Sequence, residues 1–237
     1  MIKNILLVAG LGISIGIIGF LIWASNPLGP MDIVDEIINQ SETKVIEDKE
    51  FYRIGEMSKT GLIYYPGARV HPKSYIPLGI DLAGEEITTF ISKMSLNFAV
   101  FSPNKALEII RNNPEIKEWF IAGHSLGGAM AAKVVYENPG RFKGLILNAS
   151  YPAENNSLKD KNIKVLSIYA EKDGLATVDK IDNSKNYLPS DTEFVFIEGG
   201  NHAQFGYYGP QNGDLEAEIS RKEQFEIVVK EITEFIK

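Results

Sequence analysis

The chain of 237 residues contains no cysteine. That absence removes disulfide bonds, thiolate metal sites and a cysteine nucleophile together, and it leaves the redox compartment unmarked. Histidine is scarce as well. His71, His124 and His202 are the complete set, too few for a histidine-rich metal cluster. Basic residues are outnumbered, with 24 Lys and Arg against 31 Asp and Glu, and no lysine- or arginine-rich run occurs. The electrostatic footprint of a nucleic-acid partner is therefore missing. What remains is an ordinary globular balance, 44% hydrophobic and 23% charged, on a length that supports one sizeable core.

Charge is also absent from Ile5 to Ala24. A helix of about 20 such residues, rising 1.5 Å each, crosses a bilayer core of roughly 30 Å. Gly10, Gly12, Gly16 and Gly19 are compatible with a membrane helix, and Trp23 falls at the far end, where an aromatic ring suits the interface. The alternative is a secretory signal, which needs small residues at the first and third positions before the cut. Cleavage after Ala24 puts Ile22 at the third position, and cleavage after Ser25 puts Trp23 there. The stretch is therefore expected to be an uncleaved, single-pass anchor, with secretion after cleavage as the alternative. Lys3 precedes it and Asp32, Asp35 and Glu36 follow it, which places the N-terminus in the cytoplasm and the remainder outside. Asn26 to Pro30, with two prolines and a glycine, cannot continue a helix. Residues 1-30 thus read as anchor and linker, and 31-237 as one domain.

Met31 to Asn39 has the apolar spacing of a short amphipathic helix, and Lys44 to Glu56 alternates as one or two charged edge strands. From Gly61 the pattern changes. Strands are expected at Gly61 to Tyr65, Thr88 to Met94, Glu118 to Ala122, Gly144 to Asn148, Val165 to Ala170 and Glu193 to Ile197. Helices are expected between them at Ser74 to Ala83, Asn104 to Asn112, Leu126 to Asn138 and Lys180 to Tyr187, and Glu216 to Ile236 closes the chain. Such alternation implies an α/β fold with a mostly parallel sheet covered on both faces, and ligand sites at the carboxyl ends of its strands. The short loop between Asn148 and Val165 leaves no room for a lid domain, so the cleft should be open and shallow.

One motif gives this frame a chemistry. Gly123, His124, Ser125, Leu126 and Gly127 lie between a strand and a helix, the pattern of a nucleophile elbow. A serine hydroxyl needs a base, and the base needs a third group to hold its tautomer. His124 adjoins the serine and cannot easily reach its hydroxyl; His71 precedes it, against the Ser, Asp, His order of this architecture. His202, in a glycine-rich loop after the last strand, is the expected base. Asp173 directly follows the strand ending at Ala170 and is the expected acid, ahead of Asp160, Asp179, Asp182 and Asp191 in polar stretches. The oxyanion donors should be the backbone N–H groups of Leu126 and of Ala68, the latter in the loop after the Gly61 to Tyr65 strand. Tyr151, Phe101 and Phe205 are candidate pocket walls. No cofactor is expected.

Five motifs, YYPGARVHPKSYIPL, GHSLGGAMAA, LNASYPA, AEKDG and IEGGNHAQFGYYGPQNGD, resemble in order and spacing the α/β-hydrolases of the small lidless type related to dienelactone hydrolases. The resemblance covers nearly all of the chain from Gly61 onward. It implies a three-layer α/β/α sandwich with Ser125 as nucleophile, Asp173 as acid and His202 as base. Dienelactone hydrolases proper use a cysteine nucleophile, so their substrate does not carry over. The expected activity is hydrolysis of an ester, thioester or similar acyl bond in a small-molecule or lipid-like substrate through an acyl-enzyme. The alternatives are a non-catalytic binding module on the same fold, or an acyltransferase or peptidase using the same three residues.

Overall fold

The computed structural model describes the backbone of residues 2–237 and the side chains from residue 12 onward. Eight strands form a single sheet, β1 (Val45–Glu47), β2 (Phe51–Ile54), β3 (Thr60–Tyr65), β4 (Ile87–Ser92), β5 (Glu118–His124), β6 (Gly144–Asn148), β7 (Lys164–Ala170) and β8 (Glu193–Ile197), in the order β1-β2-β4-β3-β5-β6-β7-β8. The first two pair antiparallel at one edge, and every pair from β4 to β8 is parallel. The central strands are apolar at successive positions because both faces are covered. Leu62 and Tyr64 of β3 pack into one core with Leu78 and Leu82 of α3 (Ile76–Ala83) and Phe225, Val228 and Ile232 of α7 (Arg221–Ile236). Ile63 and Tyr65 face the other core, built on Ala106 and Ile109 of α4 (Lys105–Asn112) and Met130, Val134 and Val135 of α5 (Leu126–Glu137). This is the mostly parallel sheet covered on both faces that the alternation of strands and helices predicts, and the α/β/α sandwich that the resemblance implies.

The differences are local and have local causes. The helix expected from Glu216 begins at Arg221, because Ser220 accepts from Glu223 N–H while the Glu223 carboxylate accepts from Ser220 N–H, a capping box that fixes the start. The helix expected from Ser74 opens with a 3-10 turn over Pro72–Tyr75, capped by the His71 side chain, which accepts from Lys73 N–H at 3.2 Å. α6 (Val178–Ser184) likewise ends in a 3-10 turn, Lys185–Tyr187. Among the described residues only the short turn Glu154–Asn156 intervenes between β6 and β7, so no lid domain is inserted there.

Two further helices precede the sheet, α1 (Ile2–Ser25) and α2 (Ile33–Gln40). The span expected over Ile5 to Ala24 lies in part outside the residues whose side chains are described. Among the described residues no helix is long and apolar enough to cross a membrane. The segment expected as a linker is bound to the domain: Leu28 bridges Val70, Pro30 bridges Tyr208, and Met31 N–H donates to Tyr207 O at 2.9 Å.

Candidate active site

The ends of five strands, β3, β5, β6, β7 and β8, converge on one site. β5 runs directly into Ser125, whose backbone takes φ 53° and ψ -126°, a conformation unfavourable for any residue with a Cβ. The turn holds because its neighbours have no side chains: a Cβ on Gly123 would collide with the Gly127 and Gly128 backbone, and one on Gly127 with the carbonyl oxygens of Tyr65 and Pro66. That second approach presses the first turn of α5 against the loop after β3, where Gly67 and Ala68 lie. Ser125 N–H donates to Asn148 O at 3.0 Å, and Ser150 Oγ donates back to Ser125 O at 2.6 Å, so β6 braces the elbow from the side.

Asp173 lies three residues beyond the end of β7 and is 2% exposed. Its Oδ1 accepts from Leu175 N–H at 2.8 Å and Ala176 N–H at 2.7 Å, leaving Oδ2 to accept from His202 Nδ1 at 2.7 Å. Two backbone donors therefore orient the carboxylate toward the imidazole. With its proton on Nδ1, His202 presents Nε2 as an acceptor. That nitrogen is buried and has no hydrogen-bond partner. The structure thus joins Asp173 to His202 but does not close a hydrogen bond from His202 to Ser125. Free enzymes often leave this last contact long.

The expected oxyanion donors are also unengaged: the N–H groups of Ala68 and Leu126 donate to no acceptor among the described residues, and both residues are half-buried. A cleft of about 240 Å³ opens beside Leu126, lined by Ser125, Leu126, Ala129, Ser150, Tyr151 and Leu175, among others. Tyr151 is therefore a wall, as expected. Phe205 is not; it is 1% exposed and stacks on His124 with centroids 5.7 Å apart. Phe101 is not among the lining residues either, being on the surface beside α1. The rival acids Asp160, Asp179, Asp182 and Asp191 are all exposed.

His124 is fully buried below the site, its ring 4.4 Å from that of His202 and its Nδ1 2.9 Å from the Tyr75 hydroxyl, which also accepts from Gly67 N–H. Tyr75 therefore ties the elbow to the loop after β3, a link that spacing in the chain does not reveal. Burial, and next the neighbouring His202 ring, push the His124 imidazole well below its usual range. The unfolded chain takes up this proton near pH 6.5 and the folded chain only at lower pH. The contribution to stability is thus complete above about pH 6.5 and declines below it, with a slope of up to about 1.4 kcal/mol per pH unit. Urea denaturation from pH 8 to pH 5 should show this slope in the wild type and a shallower one in His124→Gln. Parallel curves would contradict it.

Sequence reasoning missed Asp214. Its carboxylate accepts from His202 N–H (3.2 Å), Ala203 N–H (2.8 Å), Gly174 N–H (3.3 Å) and Leu215 N–H (3.0 Å). One side chain so fastens the loop of Asp173 to the loop of His202. Arg221 Nη1 holds the far side of the same loop through the carbonyls of Ala203 and Gly206. Asp214→Ala leaves four donors without this acceptor and frees His202 to drift. Ester turnover should fall on the order of 10- to 100-fold, as sub-ångström to ångström misplacement of catalytic groups does. Unchanged turnover in a folded variant would remove Asp214 from this role.

A family model described as the alpha/beta hydrolase family matches residues 61–226. No curated protein matches at a significant level. Among solved structures, an esterase of Pyrococcus furiosus aligns with a TM-score of 0.64 at 12% identity, over 89% of this chain and 96% of its own. A carboxylesterase of Bacillus subtilis gives 0.60 at 11% over 85% and 95%, and a monoacylglycerol lipase of Paleococcus ferrophilus 0.59 at 13% over 78% and 99%. At such identities these likenesses speak for the fold. Together with the family match over most of the chain, they make this protein a member of the alpha/beta hydrolase family.

Proposed function

We propose that the protein is a serine hydrolase that cleaves an ester, thioester or similar acyl bond through an acyl-enzyme, with Ser125 as nucleophile, His202 as base and Asp173 as its partner. The observation that carries this reading is the buried 2.7 Å contact between Asp173 and His202, beside a serine held in an elbow conformation. Ser125 Oγ attacks the carbonyl carbon and passes its proton to His202 Nε2, the nitrogen of that ring that Asp173 does not engage. The oxyanion that forms is met by the N–H groups of Ala68 and Leu126, each such donor contributing about 3 kcal/mol in the transition state. His202 then returns the proton to the leaving group, and water reverses the sequence to release the acid.

An anchored location belongs to the same proposal. Every described large apolar side chain of α1 from Ile13 to Trp23 is exposed, around the whole helix, which suits lipid rather than water. The charge bias across the segment favours a catalytic domain outside the cytoplasm. A lipid-like acyl substrate fits this location, and the lipase and esterases among the solved neighbours act in the same chemical class by name. Kinship with dienelactone hydrolases is retained as a resemblance of motifs. A panel of p-nitrophenyl esters graded by chain length tests the reading: turnover of some members by the wild type and none by Ser125→Ala is expected. A folded wild type inert to the whole panel would favour a binding module instead.

A further inference from the structure

Around the end of α1 the surface carries one continuous aromatic face. Phe20 lies 6.2 Å from Phe98 and 6.4 Å from Phe101, and Trp23 lies 5.8 Å from Phe98, centroid to centroid. The cluster is no core, since Phe20 remains 41% exposed, Trp23 50%, Val100 47% and Phe101 48%. Soluble monomers rarely leave contiguous apolar patches of this kind in water.

The same face is fastened to the helix by polar clamps. Arg69 Nε donates to Trp23 O at 3.0 Å and its Nη2 to Asn26 O at 2.6 Å, with the guanidinium 4.1 Å over the Trp23 ring. Asn97 Nδ2 donates to Ala24 O at 2.9 Å. The carbonyls of Trp23 and Ala24 belong to the last turn of α1, where intrahelical donors run out. Below them Leu28 N–H donates to Arg69 O and His71 N–H to Leu28 O, so the chain between helix and domain is a strap rather than a tether. The domain cannot turn freely about α1.

We propose that Phe98, Val100 and Phe101 rest in the interfacial layer of the bilayer that holds α1, so that the catalytic domain sits on the membrane in one orientation. The inference rests on the anchored location proposed above and adds a second contact with the same lipid. Continuity selects a bilayer as the occupant: the patch merges with the described part of the helix, which exposes large apolar side chains from Ile13 to Trp23 all around its axis, whereas a protein partner would cover one side. Aromatic rings are the groups that favour this depth. The functional consequence is short range. Arg69 directly follows Ala68, about 3.8 Å away along the backbone, and the 3-10 turn Ala99–Phe101 packs on α5, which begins at Leu126. The Ala68 donor therefore stands one residue from a clamp of the membrane-facing surface, and the turn that carries Val100 and Phe101 packs on the helix that begins with the other.

Because the chain has no cysteine, single labels can be placed cleanly. Full-length Phe101→Cys and Val100→Cys, and as a distant reference Lys117→Cys at the opposite end of β5, would carry an environment-sensitive fluorophore in phosphatidylcholine–phosphatidylglycerol vesicles. The expected result is strong quenching at positions 100 and 101 by doxyl-labelled lipid with protection from iodide, and the reverse at 117. Iodide access at 100 and 101 equal to that at 117, in protein that resists alkaline carbonate extraction, would overturn the second contact while sparing the anchor. Release by carbonate would overturn both.

Discussion

Ser125→Ala is expected to lower kcat/KM for an activated ester by about five to six orders of magnitude, with the fold intact. The size follows from cooperation: once the nucleophile is gone, the base and the acid have nothing to activate, and only the oxyanion donors and substrate binding still act. Structure is expected to survive because the substitution removes, from a half-buried residue, one oxygen that makes no hydrogen bond among the described residues, while the backbone bonds of the turn, to Asn148 and from Ser150, are untouched. Parallel urea denaturation of the two proteins separates lost chemistry from lost fold. A variant that keeps more than about a thousandth of wild-type turnover would mean that another group performs the attack.

The second large effect is less obvious from residue types. Asp173→Asn conserves shape, yet about 10⁴-fold should be lost in kcat. Two backbone N–H groups, of Leu175 and Ala176, point at Oδ1. An asparagine must give its carbonyl oxygen to those donors, which turns its NH2 toward His202. The imidazole then has to accept at Nδ1 and carry its proton on Nε2. In that tautomer it cannot take a proton from Ser125. The prediction is therefore a fall in kcat with little change in KM or stability, and steady-state kinetics with a matched denaturation curve would check it. A loss of less than about tenfold would show that His202 does not depend on Asp173 for its tautomer.

Much of this architecture is legible along the chain because its signals are local. The parallel strands advertise themselves as apolar runs, and their ends are fixed within a residue or two by the turns that follow. The elbow is legible for the same reason: Gly123 and Gly127 are required by close approaches within one turn and to the neighbouring loop. Chain order then singles out Asp173 and His202, and the structure brings that pair together. What escapes the sequence is carried by polar contacts between irregular segments. Asp214 looks like any loop aspartate, and only the folded chain brings four backbone donors to it. Tyr75 reads as a helix-start aromatic, and its role depends on His124 and Gly67 arriving from other elements. Phe205 and Phe101 were interchangeable pocket candidates by composition, yet one is buried under the site and the other lies at the surface by α1. The binding of residues 26 to 31 to the domain is hidden because prolines and glycine state only that the helix stops.

The central claim is that Ser125 is an activated nucleophile, and covalent capture tests it without knowledge of the substrate. A fluorophosphonate probe should label the wild type at a single site, with the adduct mapped by peptide mass to the segment containing Ser125, and should fail to label Ser125→Ala. Equal labelling of the two proteins, or none of a folded wild type, would contradict the account.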